Sequence, residues 1–425
     1  MEALIKRNVT LFLAGKMSAV LGSSIYSFAI GLYILAETGS SLNFAITLIL
    51  STVPRILLSP VAGAFSDRWD RKKIIIISDF ACAIWLIAVL LLFLFAAQDI
   101  WLLYTAAAVL SILNTFYSAA VTSAIYNMVG PDHLQKALSL NQTAVSLSAI
   151  LGPVLGGVFF GIFHLTTFML INIITFTVSG ISSLLIHYNL FAEEKEETRK
   201  SSMIADLKMG VSYVKNQPFI KNLIIISIWL NFWFAIFPVA MPYLVLTIRE
   251  MSSVQLGIIE GAFSVGTLAI SIYLSARPEV KRKEFAIFEG IISMSIIIAL
   301  LGLPNLPGLM GISNNVVFPF LIVMVLLLSA TIILVNMPVM VLLQKGTPDM
   351  YRGRVMSLLE TGASAMTPLG FIAFGFLLEK MPVWILMAFC GMSILTLILY
   401  HLRKRTLLQL LREADQPKKE VSAQI

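Results

Sequence analysis

"GAFSDRWDRKKIII", residues 63–76, places six charged side chains in the seven positions from Asp67 to Lys73, between two long runs that carry almost no charge. The flanking runs must therefore occupy a medium that excludes charge. The whole chain is 58% hydrophobic and 12% charged, against roughly 45–50% and ~25% in ordinary soluble domains. Its apolar runs repeatedly reach the ~20 residues with which a helix crosses a hydrocarbon layer of ~30 Å. The predicted fold class is an all-α polytopic membrane protein, with the quoted stretch as a loop between two spans.

Uninterrupted apolar length gives twelve predicted spans: 9–36, 43–66, 74–97, 100–128, 135–163, 166–190, 220–248, 252–276, 285–303, 316–344, 350–378 and 382–402. With both termini on one side, twenty-six of the 30 Lys and Arg fall on that side. The opposite side holds only Arg249 and Lys380, and Lys16 and Arg55 lie within spans. Cytoplasmic loops collect basic residues. The expectation is a multi-pass protein of the cell membrane with cytoplasmic termini, whose net charge of +7 reflects topology and contact with membrane lipids, not nucleic acid. The apolar run after Lys6 and Arg7 is too long for a cleaved signal peptide. Cys82 and Cys390 lie far apart in apolar runs, which suggests packing residues and no metal site.

The most charged segment, Phe191 to Phe219, divides the spans into two sets of six. The expected domains are an N-terminal lobe, 1–190, a cytoplasmic central loop, 191–219, a C-terminal lobe, 220–405, and a cytoplasmic tail, 406–425. In the loop, Ile204, Leu207, Val211 and Val214 follow helical spacing, as in an amphipathic helix lying on the membrane or a solvated linker. The halves read as weak repeats: "ETGSSLNFAI" resembles "EMSSVQLGII", "GPDHLQKALSL" resembles "TPDMYRGRVMSL", and "DRKKIIIISD" resembles "VKRKEFAIFE". Transporters built by duplication carry this signature.

In the quoted loop, Gly63 permits a neighbouring helix to come close, Asp67 can accept from the N-terminus of another helix, and the bases can hold acids or lipid phosphates. Such a cluster could latch two halves on one side; the positive-inside rule alone would also place charge there. The pattern Gly63-x-Phe65-x-Asp67-Arg68-x-Asp70-Arg71-Lys72 resembles the signature loop of the major facilitator superfamily, with Asp70 where that loop usually has glycine. DRxDRKK, "TGSSLNFAITLILSTVPRILLSPVAGAFSD" and "IIISD" are similar to the macrolide and multidrug efflux branch. The resemblance extends over nearly the whole chain.

The fifth predicted span contains "SAILGPVLGGVFFG", with Gly152, Pro153, Gly156 and Gly157. Small residues at this spacing give a smooth face for close packing and Pro153 permits a bend. The element also resembles the antiporter signature of exporters, with Ser148 where glycine is usual and the glycine further upstream missing.

Ionisable residues within spans are Lys16, Arg55, Asp79, Glu260, Glu289 and Glu360. Each costs ~2.5–3.5 kcal/mol at the centre of a span, so each should face protein or water. At 1.5 Å rise per residue, Lys16, Arg55 and Glu260 lie near the midplane, roughly 14–18 Å from the nearest boundary charge, and Asp79, Glu289 and Glu360 only ~9 Å from cytoplasmic bases. The shallow three read as structural or gate ion pairs. The resemblance implies that spans 1, 4, 7 and 10 line a cavity between the lobes. Lys16 then becomes its leading cation and Glu260 its titratable acid; static pairs, such as Arg55 with Glu360, are the alternative. Trp229, Trp233 and Phe237 recur at every fourth residue. With Asn231 they would join Tyr26, Asn114, Tyr117 and Asn336 around large amphipathic molecules, unless the stripe faces lipid or core.

No HExxH, GxSxG or GxxxxGK[ST] occurs, so neither an enzyme nor ATP-driven pumping is expected, and no cofactor. The leading expectation is a monomeric secondary active exporter of amphipathic small molecules such as macrolides, working by alternating access and proton antiport. An exporter of a native metabolite such as a siderophore or lysolipid, with Lys16 and Arg55 on an anionic group, stands as the alternative, and a membrane receptor or scaffold without transport as a third reading.

Overall fold

A computed structural model of the chain describes residues 2–95, 99–188, 190–191, 211–276 and 283–403. Among them there is no strand, and twelve helical stretches are long and apolar enough to cross a membrane. The first six are α1 (Glu2–Thr38), α2 (Ser41–Arg68), α3 (Arg71–Phe95), α4 (Ile100–Val129), α5 (Pro131–Phe160) and α6 (Leu165–Leu185). The seventh span is built from α7 (Pro218–Phe234), α8 (Ile236–Pro242) and a π-helical turn, Tyr243–Ile248. It is followed by α9 (Ser253–Ser275), α10 (Lys283–Leu301), α11 (Asn314–Gly346), α12 (Asp349–Ala365), α13 (Thr367–Leu378) and α14 (Val383–Arg403).

Local chemistry sets the ends. α1 starts well before the apolar run, because Glu2 pairs with Lys6 one turn on at 3.0 Å and suits the positive end of the helix dipole. It stops where Gly39 turns left-handed, φ 61°, after which the Ser40 hydroxyl accepts the Asn43 N–H at 3.1 Å and caps α2. Asp99 caps α4 in the same way, accepting from Trp101 N–H at 3.1 Å. The seventh span is interrupted because Pro238 and Pro242 bring no N–H to the carbonyl four residues earlier. The eleventh divides at Met366, just before Pro368.

The chain condenses into two compact units, Met1–Glu196 with Val239–Gly261, and Glu197–Pro238 with Ala262–Ile425. In the first, α1 packs on α5 and α6, α3 on α4 and α6, and α2 on α4. Tyr26, Ile30, Leu86, Phe168 and Phe176 are at most 1% exposed there and form its core. In the second, α10 packs on α11 and α14, and α12 on α7, around buried Leu321, Leu328, Met387 and Ile394. Cys82 and Cys390 are buried and unbridged. The amphipathic helix expected in the central loop falls mainly on residues 192–210, and the tail on 406–425; both lie outside the described residues. At the end of that loop, Tyr213 stacks on Tyr351 of α12 at 4.4 Å, and burial pushes its hydroxyl pKa up.

Candidate functional site

The charged loop joins α2 to α3 and binds the ends of other helices within the first unit. Asp70 caps α3: its Oδ1 accepts the N–H of Lys72 at 2.9 Å and of Lys73 at 3.4 Å. Arg71 donates to the Ser123 carbonyl on α4 at 2.8 Å. The Lys72 ammonium donates to the carbonyls of Leu184 and Ile186, at 3.0 and 2.9 Å, where the last turn of α6 has no N–H to offer. Cations are favoured at that end of a helix. On the other side of the same terminus, Arg7 donates to the Leu185 carbonyl, and Asn8 exchanges hydrogen bonds with the backbone of His187. Arg68 is exposed, Trp69 stacks on Phe65 at 4.6 Å, and the Asp67 side chain lies outside the described ones. Gly63 departs from expectation: among the described residues a Cβ there would stand in open space, so no neighbouring helix comes close.

Above this clamp the first unit holds a cavity of about 380 Å³. Its wall includes Lys16, Tyr26, Arg55, Asn114 and Tyr117, five residues singled out from sequence. Lys16 is 7% exposed and its Nζ sits 4.6 Å from the centre of the Tyr117 ring, a cation–π contact. Arg55 is exposed on α2. Sequence reasoning missed the hydroxyls and amide that complete the wall: Ser23, Ser27, Ser111, Ser118 and Asn172. The signal was present, since Ser111, Asn114, Thr115 and Ser118 recur at helical spacing in an otherwise apolar α4. Asp79 lies in the core at 1% exposure and accepts a hydrogen bond from Ser179 at 2.8 Å. It forms no ion pair among the described residues, unlike the structural or gate pair expected of it.

The glycines of α5 serve two neighbours. A Cβ on Gly152 would meet Ser24 Cβ at 2.5 Å and one on Gly156 the Phe28 ring at 2.8 Å, so both face α1. On Gly157 it would meet the Ser253 carbonyl oxygen at 2.6 Å and the Gly257 Cα at 2.7 Å. Gly257 in turn approaches the Pro153 carbonyl, and Gly261 abuts Val154. α5 and α9 therefore cross with backbones nearly touching, and Glu260 stands half-buried beside that crossing, between Gly257 and Gly261.

The candidates in the second unit do not gather. Asn231 and Asn336 share a pocket of about 170 Å³ with Leu230, Met294 and Val339. Residues 229 and 231 lie about 200° apart around a helix, so Trp229 and Trp233 face elsewhere: with Phe389 and Tyr400 of α14 they line a separate groove. Trp233 packs edge-on to Phe389 at 5.6 Å. Phe237 is buried, stacked between Phe234 and Phe263. Glu289 and Glu360 are exposed.

The family model described as Major Facilitator Superfamily matches residues 12–366. An uncharacterised transporter of that type, YfiS from Bacillus subtilis (strain 168), is 22% identical over 386 residues, covering 89% of this chain and 90% of its own. Macrolide efflux protein A from Streptococcus pyogenes is 20% identical over 377 residues, covering 88% of this chain and 91% of its own. Among solved structures, a bacterial homologue of the iron transporter ferroportin in its inward-facing state superposes with a TM-score of 0.68 at 16% identity, covering 96% of this chain and 99% of that one.

Proposed function

The chain belongs to the major facilitator superfamily, and from that premise we propose that it exports amphipathic small organic molecules across the cell membrane by proton antiport. The chain is a transporter and not an enzyme; direction, cargo and coupling are the reading offered here. One observation carries it: a cavity of about 380 Å³ opens within a bundle of apolar helices, with polar groups among its apolar lining. Polar and ionisable groups inside a membrane are costly and mark substrate pathways, and mixed apolar and hydroxyl walls suit molecules of both characters. Export as the direction draws on the likeness to Macrolide efflux protein A and on the Gly152-Pro153 and Gly156-Gly157 element of α5.

Glu260 is assigned the proton. A carboxylate within a membrane span releases or binds a proton as its surroundings hydrate, and this one stands half-buried where α9 crosses α5, between Gly257 and Gly261. The membrane potential contributes ~2.3 kcal/mol per charge per 100 mV, enough for one proton to drive uphill movement. The basic asymmetry of the loops supports cytoplasmic termini. Flux of a fluorescent amphipathic dye into proteoliposomes should collapse on adding a protonophore, and Glu260→Gln should leave only downhill exchange. Uphill flux that survives full uncoupling refutes the antiport step.

A further inference from the structure

Resting on that transport reading, we infer that the cavity of the first unit is an oxyanion site, and that the carried molecules are amphipathic acids bearing a carboxylate or phosphate. Among the described residues the charged groups on its wall are Lys16 and Arg55, and no carboxylate lines it. Asp79 is buried outside the wall, accepts from Ser179 at Oδ2, and makes no ion pair with Lys16 among the described residues. Even with Asp79 counted as ionised, the two cations, Lys16 at 7% exposure and Arg55 at an exposed position, outnumber it, and the balance beside the buried Lys16 is positive. Such a charge demands a counter-ion.

The neutral groups point the same way. Ser23 Oγ, Tyr26 OH and Asn172 Nδ2 are buried and have no hydrogen-bond partner among the described residues, whereas buried polar atoms are almost always paired. Tyr26 is 1% exposed and Asn172 0%. Asn172 has committed its carbonyl, which accepts from Thr175 at 3.3 Å, so only N–H donors remain to it. Lysine and arginine are donors without acceptor capacity. Each of the three unpartnered groups carries a donor hydrogen, and an oxyanion accepts hydrogen bonds while supplying the missing charge. A cationic amphiphile would add positive charge beside Lys16. Val20, Ile30, Leu110 and Val145 supply the apolar part of the wall, and the volume lies within the range of small-molecule sites.

The test uses the full chain in detergent and three probes with one fluorophore: dansylglycine, its methyl ester and dansylcadaverine. Dansylglycine should bind about 10–100-fold more tightly than the ester, the range for a charge-assisted hydrogen bond, and the amine most weakly. Lys16→Met should bring acid and ester within about threefold of each other, Lys16→Arg should keep the preference, and Arg55→Gln, at an exposed position, should reduce it without disturbing the fold. Equal affinity for acid and ester, no binding of dansylglycine at millimolar concentration, or a preference untouched by both Lys16→Met and Arg55→Gln overturns the inference. Flux in proteoliposomes separates the two readings. Proton-driven export with no preference for the acid removes the oxyanion site and leaves export standing, whereas acid-selective binding without flux of any probe does the reverse.

Discussion

Gly157→Ala tests the crossing of α5 and α9 most directly. The added Cβ would stand 2.6 Å from the Ser253 carbonyl oxygen and 2.7 Å from the Gly257 Cα. Both are backbone atoms, so no rotamer change relieves the overlap. Ordinary contact begins at 3.4 Å, and the two helices must part by about 0.8 Å to reach it. Overpacking of this kind costs ~1–3 kcal/mol, and parting also weakens any Cα–H···O contacts along the seam, each ~0.5–1 kcal/mol. Alanine returns up to ~1 kcal/mol of helix propensity. That gain cancels in a comparison with Gly63→Ala in α2, where the new methyl meets open space. Chemical denaturation in detergent, read by a thiol-reactive dye at Cys82 and Cys390, should therefore place Gly157→Ala about 1–3 kcal/mol below Gly63→Ala. Gly257→Ala presses on the same seam, against the Pro153 carbonyl at 2.9 Å. Once the first methyl has separated the helices the second should cost less, giving a coupling above ~0.5 kcal/mol. Equal stability of Gly157→Ala and Gly63→Ala, or strict additivity of the double variant, would refute the backbone-contact argument.

Other expectations concern the loop clamp and the buried acid. Asp70→Ala should cost about 0.5–2 kcal/mol through loss of the α3 cap, whereas Asp70→Gly should cost only a few tenths, as cap rankings require; thermal unfolding of the two variants decides. Lys72→Met frees the Leu184 and Ile186 carbonyls and should lower stability by about 1 kcal/mol, since the bonds are partly exposed. Lys73→Met, exposed and without a side-chain partner among the described residues, should change the melting temperature little. Ser179→Ala removes the buried donor to Asp79 and should cost ~1.5–3 kcal/mol, the value for a hydrogen bond to a charged group; a melting temperature equal to wild type would show that Asp79 is neutral or otherwise satisfied.

The twelve spans were legible because hydrocarbon thickness fixes their length, and their ends followed where a cap or a glycine was present. The first turn of α1 was not, because Glu2 and Lys6 break the apolar pattern while supporting one another along the helix. Within the candidate site, Lys16, Tyr26, Asn114 and Tyr117 stood out as polar groups in apolar helices, and they share one cavity wall. The serines beside them did not, since a hydroxyl can bond back to its own helix and be at home anywhere in it. Asp70 shows the complementary case: a departure from the family pattern reads in the structure as an equivalent solution, because aspartate and glycine are both tolerated where a helix begins. The grouping of Trp229 and Trp233 with Asn231 joined residues on different sides of one helix, a distinction that four-residue spacing alone would have drawn.

The break in the seventh span has a mechanical meaning. The chain leaves its second unit for its first between Pro238 and Val239 and returns between Gly261 and Ala262. At the first crossing proline has already withdrawn an amide proton from the helical ladder, so bending there sacrifices no bond that a straight helix would have made. At the second, the helix continues unbroken through Gly261, which abuts Val154. Residues 239–261 therefore fold with the first unit although the stretch before them folds with the second, and Glu260 is carried at the end of that exchanged segment.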